Sequence, residues 1–182
     1  MFFNNIISLF DKSYSSSGFS HSEAIIKQKK ILDKLVKSSK NTRFGKDHNF
    51  RNINNYQDFK NNVPIRDYEG FRGYIKKIKN GEKDITWINK PLYLAKTSGT
   101  TSGTKFIPIT KESLPNHINS AKHLLYDYFK KKKKIKPFLG KVMFLSGTPS
   151  LDEENGIKIG RLSGIVNHHK PVFLKNKSLP SK

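Results

Sequence analysis

The sequence predicts an α/β fold in which helices come first and a strand–helix–strand layering follows. Three observations carry this expectation. Between residues 20 and 82 the apolar positions recur at helical spacing. Two short apolar runs then flank a segment of Ser, Thr, Gly and Lys, the pattern of a strand, a loop and a second strand. Beyond Thr110 a further helical stripe is followed by another apolar run, so sheet and helix alternate. The organisation this implies is a mainly helical lead-in over 1–82 and a strand–loop–strand–helix–strand portion over 83–182.

The first helix opens at Ser20-His21-Ser22-Glu23, the spacing of a capping box, in which Ser20 and Glu23 each satisfy the other's backbone N–H. Ile25, Leu32, Leu35 and Val36 then share one face, and "KSSKNT" closes the helix. In "VPIRDYEGFRGYIKKIKNGE", Pro64 marks the entry to a second helix. Tyr68, Phe71, Ile75 and Ile78 form its stripe, and Asn80-Gly81 is the expected stop, since glycine tolerates the left-handed conformation past a helix end. "DITWI", "PLYLAK", "KFIPIT" and "KVMFLSG" are short enough and apolar enough for strands. From Thr110, residues Leu114, Ile118, Ala121, Leu125 and Tyr128 trace a long helix, with Pro115 tolerated in its first turns.

Composition narrows the function classes. At 182 residues and 35% hydrophobic, with 13 Phe, the chain is less apolar than usual yet too apolar for disorder, which fits a Lys-rich single domain or a piece of a larger one. A net charge of +21 invites a nucleic-acid reading. Against it, 30 of the 35 basic residues are Lys spread along the chain, and Arg stands only at 43, 51, 66, 72 and 161. Base readout and bidentate phosphate contacts favour Arg, so no nucleic-acid partner is expected. The Lys130–Lys134 run suits a helix C-terminus. Cysteine is absent, which excludes disulfides and thiolate metal sites and fits a reducing, cytoplasmic setting. "MFFNNIISLF" lacks a cationic n-region, and no run approaches the ~18 apolar residues of a membrane span, so no membrane partner is expected.

The chemistry concentrates in "KTSGTTSGTKFIPIT", residues 96–110. Glycines at 99 and 103 let a backbone turn with positive φ and bring its N–H groups close to an anion. The hydroxyls of Thr97, Ser98, Thr100, Thr101, Ser102 and Thr104 add donors, and Lys105 adds a full charge. At about 4 Å and an effective dielectric of ~20, one Lys–phosphate pair is worth roughly 4 kcal/mol before desolvation. The run is not a Walker A loop: Thr104 separates Gly103 from Lys105, and Phe106 stands where a Mg²⁺-ligating hydroxyl belongs.

This Ser/Thr/Gly run closed by Lys resembles the first nucleotide-binding motif of adenylate-forming enzymes. With "NTRFGKDHNF", "VPIRDYEGFRGYIKKIKNGE", "KTSGTTSGTKFIPITKES", "GKVMFLSGTP" and "NGIKIGRLSGIVNHH" in this order, nearly the whole chain resembles the auxin-responsive promoter family of acyl acid amido synthetases, as a bacterial-type member. The resemblance implies the N-terminal part of the large domain of an adenylate-forming enzyme. It also implies an N-terminal fragment, because the family's later nucleotide motifs and its small mobile domain lie beyond residue 182. The implied activity is that of a ligase, monomeric when full length, which uses ATP and Mg²⁺ to join a small-molecule carboxylic acid to an amine, typically of an amino acid. Thr97, Ser98, Gly99, Thr100, Thr101, Ser102, Gly103, Thr104 and Lys105 would bind the nucleotide, and Lys105 would also serve catalysis. The Mg²⁺ ligands are expected outside this chain, and the chain alone is expected to be inactive. The alternatives are another adenylate-forming ligase, such as an acyl-CoA synthetase, or a basic nucleic-acid-binding protein.

The remaining candidates are weaker. His168-His169 are adjacent, so on a strand they would point apart and could not share a metal. His117 and His123 fall on the helix after Thr110, which by resemblance lines an acyl-acid pocket, although surface positions suit them. Asp152, Glu153 and Glu154 read as a solvated acidic turn. Arg161 is open to a substrate carboxylate or to a structural one.

Overall fold

A computed structural model describes residues 20–97, 103–132, 140–143, 147–148, 150–170 and 175–179. The expectations for "MFFNNIISLF", for Lys133 and Lys134, and for residues 144–146 of "KVMFLSG" lie outside that set. So do those for the side chains of Ala121 and Leu125. The described part is a mixed helix-and-strand fold whose contacts separate into two units. One gathers Phe19–Lys111 with Leu151–Gly160, the other Glu112–Ser150 with Arg161–Lys182.

In the first unit, helix α1 spans His21–Ser39 behind Ser20, and the capping box forms as the spacing predicts. The Ser20 N–H donates to Glu23 Oε2 at 2.8 Å, and the Glu23 N–H to Ser20 Oγ at 3.3 Å. The face expected to be buried is buried only at its end: Val36 is covered, while Ile25 and Leu35 stay 52% and 48% exposed. The last turn is where the chain doubles back. Thr42, fully buried, donates to the Ser39 carbonyl at 2.7 Å and accepts from the Gly45 N–H at 3.0 Å, capping α2 (Arg43–Asp47). Burial therefore concentrates around Val36 and Ser39. Phe44 on α2 then gathers Phe50, Phe71 and Tyr74 at centroid separations of 5.7, 5.7 and 5.4 Å, distances at which aromatic rings attract.

Helix α3 covers Tyr56–Asn62, and α4 covers Tyr68–Lys79. The second helix starts after Asp67, whose side chain accepts the Gly70 N–H at 3.0 Å, rather than at Pro64. Its predicted stripe is correct. Ile75 and Ile78 are buried, and Tyr68 and Phe71 pack at the rim of the same core. The stop is a two-bond Schellman closure: the Gly81 N–H reaches the Ile78 carbonyl at 2.8 Å and the Glu82 N–H the Lys77 carbonyl at 3.1 Å, with Gly81 at φ +85°.

"DITWI" is not a strand. Asp84 and Asn89 both take positive φ, and the Asn89 N–H donates to Asp84 Oδ1 at 2.6 Å, which closes the segment into a loop. Its carbonyls serve a helix instead: the N–H groups of Arg43 and Phe44, unpaired within α2, donate to Asp84 and Ile85 oxygens at 2.7 and 2.9 Å. A short apolar run thus caps a helix by backbone alone, which residue types do not signal.

Strands β1 (Tyr93–Lys96) and β2 (Phe106–Ile109) pair antiparallel, Tyr93 opposite Ile109 and Lys96 opposite Phe106. With β4 (Asp152–Glu154) and β5 (Ile157–Arg161) they form one sheet, ordered β2-β1-β5-β4. The acidic segment is therefore the edge strand of a hairpin, turned at Asn155-Gly156, where both φ angles are positive as a tight hairpin turn requires. Asp152 and Glu154 are exposed yet paired, with Lys96 at 2.7 Å and Lys79 at 3.3 Å. Ile75, Ile78, Ile85, Leu94, Ile157 and Ile159 make the core between α4 and this sheet. Each such side chain contributes about 1.5–3 kcal/mol on burial.

In the second unit, α5 runs Leu114–Lys132, starting four residues after Thr110, so Lys111 stands in the turn before the helix. β3 (Val142–Met143) pairs in parallel with β6 (Ser178–Leu179). Leu162–His168 forms α6, a helix the sequence reading did not anticipate; His168 and His169 end and cap it rather than lying on a strand.

Candidate functional site

The hydroxyl- and glycine-rich segment joins two antiparallel strands, as its apolar flanks predict. The last ladder pair is Lys96–Phe106, and the Thr97 N–H donates to the Lys105 carbonyl at 3.0 Å, so the pairing of the two strands reaches Thr97 and Lys105. Among the described residues β2 is the outer strand of its sheet, so Lys105 and Phe106 stand at the sheet's edge. Ser98, Gly99, Thr100, Thr101 and Ser102 lie outside the described residues. Thr97, Gly103, Thr104 and Lys105 are described. Gly103 has φ +77°, and among the described residues nothing stands within 4 Å of where a Cβ would be.

Helix α4 brings a second set of groups to the same place. The Phe106 N–H donates to Tyr68 Oη at 2.8 Å. Lys105 Nζ lies 5.4 Å from the centroid of the Tyr68 ring, and Arg72 Cζ lies 5.8 Å from it. Lys79 Nζ stands 5.0 Å over the Phe106 ring. Among these cations Arg72 is committed locally, its Nε and Nη2 donating to both oxygens of Glu69 at 2.6 and 2.7 Å. That pairing holds the Glu69 carboxyl below its usual range, chiefly through the Arg72 hydrogen bonds with a smaller contribution from Lys105, and raises the guanidinium of Arg72. Among the described residues Lys105 makes no ion pair.

The described groups are of the kind that can receive an anion. They offer a full charge at Lys105, backbone donors beside Gly103, and hydroxyls on Thr97 and Thr104, with no nucleophile–base pair among them. A phosphate chain fits that donor set. A metal does not find its ligands here: among the described residues no three His, Cys, Asp or Glu cluster to hold one.

Of the other sequence candidates, Asp152 pairs with Lys96, the residue before Thr97, at 2.7 Å. His117 is exposed on α5, and so is His123. The stem of Arg161 lies against Gly147, where a Cβ would stand 2.6 Å from Arg161 Cδ. Sequence reasoning missed Tyr68 and Arg72 as site residues. Tyr68 sits on the core stripe and was read as packing; the signal available was its hydroxyl, which a purely apolar rim does not need.

A family model, the GH3 family N-terminal domain, matches residues 20–182. The chain belongs to the GH3 family. Among curated GH3 relatives, indole-3-acetic acid-amido synthetase GH3.15 of Arabidopsis thaliana is 43% identical over 65 residues, 35% of this chain and 11% of that protein. Indole-3-acetic acid-amido synthetase GH3.5 of the same plant is 28% identical over 89 residues, 48% of this chain and 14% of that protein. Two solved structures agree in fold. AtGH3.15 acyl acid amido synthetase in complex with 2,4-DB superposes with TM-score 0.65 at 28% identity, over 83% of this chain and 26% of that one. GH3.15 acyl acid amido synthetase does so with TM-score 0.63 at 28% identity, over 74% and 24%. The chain thus spans about a quarter of the solved GH3 chains it matches.

Proposed function

We propose that these residues are the N-terminal part of the large adenylation domain of an ATP-dependent acyl acid amido synthetase. The carboxylate of a small-molecule acid attacks the α-phosphate of ATP, pyrophosphate leaves, and an amine, typically of an amino acid, then displaces AMP from the activated carbonyl. The observation that carries the reading is a Ser/Thr/Gly sequence ended by Lys105 between two antiparallel strands whose pairing reaches the Thr97–Lys105 hydrogen bond, in a GH3 chain. Its residues, Thr97, Ser98, Gly99, Thr100, Thr101, Ser102, Gly103, Thr104 and Lys105, hold the phosphates. Preorganised donors aimed where negative charge develops lower the barrier without reorganising, and Lys105 supplies the largest of those charges. Mg²⁺, in this reading, is held by residues outside the chain. The enzyme works in the cytoplasm, consistent with its lack of Cys, and as a monomer when full length.

The test is acid-dependent exchange of labelled pyrophosphate into ATP. An intact protein, in which residues 1–182 continue into the rest of the large domain and the small domain, exchanges label only when a suitable carboxylic acid is present; the 182-residue chain does not. Amide formation with an amino acid, and none with coenzyme A, separates this reading from an acyl-CoA synthetase. An intact protein that exchanges no label with any acid overturns the proposal.

A further inference from the structure

We infer that Tyr68 is the positioning residue of the phosphate loop, its hydroxyl fixing the peptide that follows Lys105 and its ring holding the Lys105 ammonium. The inference rests on the phosphate role proposed above and adds a second element, helix α4, to the site.

The argument begins with one peptide group. The carbonyl of Lys105 and the N–H of Phe106 belong to the same planar unit. The carbonyl accepts from the Thr97 N–H at 3.0 Å, across the mouth of the loop. The N–H points the other way, off the outer edge of the sheet, and donates to Tyr68 Oη at 2.8 Å. An N–H on the open side of an edge strand ordinarily goes to water; here a side chain from another element takes it. The peptide is clamped at both ends, which fixes the Cα of Lys105 and the direction in which its side chain leaves the strand.

The ring then deals with the ammonium. Lys105 Nζ lies 5.4 Å from the Tyr68 centroid, within the range of a cation–π attraction. A carboxylate in that place would neutralise the lysine and compete with a phosphate. An aromatic face restrains the same group while leaving its charge and its three donors available. Glu69, the nearby carboxylate, is already occupied by both bonds from Arg72. Tyr68 can bear this task because it opens α4. Asp67 caps the helix in front of it, and Ile75 and Ile78 anchor the helix in the core about two and three turns further on.

The test is a site-resolved titration of the ¹⁵N-labelled 182-residue chain with MgATP, and separately with inorganic tripolyphosphate, at near-physiological salt, reading the amides of Gly103, Lys105 and Phe106. The wild type gives saturable shifts at these amides. Tyr68→Phe, which keeps the ring and loses the hydroxyl, weakens affinity about 3-fold, and Tyr68→Leu, which loses both, about 10-fold. Exchange of the Phe106 amide with solvent accelerates in both variants, while Tyr68→Phe leaves the melting temperature near wild type. Tyr68→Leu costs less affinity in a Lys105→Ala background than in the wild type, because the ring then has no ammonium to hold. If Lys105→Ala weakens binding but both Tyr68 variants bind as the wild type does, Tyr68 has no positioning role and the inference falls alone. If Lys105→Ala also binds as the wild type, or these amides give no saturable shift, the phosphate role falls and takes the inference with it.

Discussion

Gly81 ties the helix that carries Tyr68 to the sheet, and its replacement by alanine is expected to be costly for two separable reasons. The residue sits at φ +85°, a conformation that costs an L-residue about 1–2 kcal/mol. A Cβ there also stands 2.9 Å from Asn155 Cβ and 3.2 Å from Lys90 Nζ. The lysine end can move, but Asn155 is held by its own bond to the Lys79 carbonyl at 3.0 Å, so the crowding cannot simply relax. Overpacking of this kind costs about 1–3 kcal/mol, and the stiffer unfolded chain returns about 0.4–1 kcal/mol, leaving a net loss of roughly 2–4 kcal/mol. In urea, at about 2 kcal/mol per molar, the midpoint falls by about 1–2 M. Two other glycines calibrate the reasoning. Gly156, at φ +75° with nothing among the described residues within 4 Å, has the conformational cost, so Gly156→Ala loses about 1 kcal/mol. Gly73, inside α4 with open space around it, gains about 0.5–1 kcal/mol on Gly73→Ala. Asn155→Gly, which removes the opposing Cβ, recovers part of the Gly81→Ala loss, so the two changes are non-additive. Equal losses for Gly81→Ala and Gly156→Ala, or destabilisation by Gly73→Ala, would show that crowding and helix propensity are misassigned here.

Two further expectations follow from the same unit. Gly45 is buried, and a Cβ on it would collide with the Ser39 carbonyl, a backbone atom that cannot swing aside; Gly45→Ala is expected to lose 3 kcal/mol or so (about 1–3 kcal/mol or more for a rigid clash), read by urea unfolding, and a loss below that of Gly156→Ala contradicts the packing of α1 against α2. Stability should also fall at both pH extremes through one hydrogen bond, Tyr74 Oη to Asp47 Oδ2 at 2.9 Å. Burial raises the Asp47 carboxyl, but the bonds from Tyr74 and Arg43 outweigh it and leave its pKa below the ordinary 3.8, so its contribution is complete above 3.8 and is lost as pH falls through the lowered value. Burial, then the bond to Asp47, raise Tyr74 above 10.0, so its contribution is complete below 10.0 and is lost as pH rises through the raised value. Urea midpoints across pH for Tyr74→Phe should lack the alkaline fall and show a shallower acid one; an unchanged profile counts against the pairing.

The sequence made legible whatever repeats locally. The Ser20–Glu23 box, the Tyr68–Ile78 stripe, the Gly81 stop and the strand–loop–strand around 97–105 each depend on residues a few positions apart, and each forms. What it hid depends on distant partners. "DITWI" has strand composition, yet two positive-φ residues bend it and its carbonyls cap a helix forty residues earlier in the chain. Ile25 and Leu35 share a face with Val36, yet both are exposed while Val36 and Ser39, in the final turns of α1, are buried. The acidic run hides a hairpin because its exposed carboxylates are neutralised by Lys79 and Lys96, both remote in sequence. The site itself was half legible. Hydroxyls, glycines and Lys105 mark the proposed phosphate loop by composition, whereas Tyr68 marks only a helix face, its bond to Phe106 spanning 38 positions.

Whether the lysine of this loop serves the phosphates is decided by one comparison in an intact protein: steady-state ligation rates and melting temperatures for Lys105→Ala and Lys111→Ala. Lys111, exposed in the turn beyond β2, is the matched loss of a surface charge. Removing a cation that acts as phosphate charge develops costs ~2–4 kcal/mol of transition-state stabilisation, roughly 30- to 1000-fold in rate. The account predicts that loss for Lys105→Ala with an unchanged melting temperature, and a near-wild-type rate for Lys111→Ala. Full activity in Lys105→Ala, or a loss explained by unfolding, contradicts it.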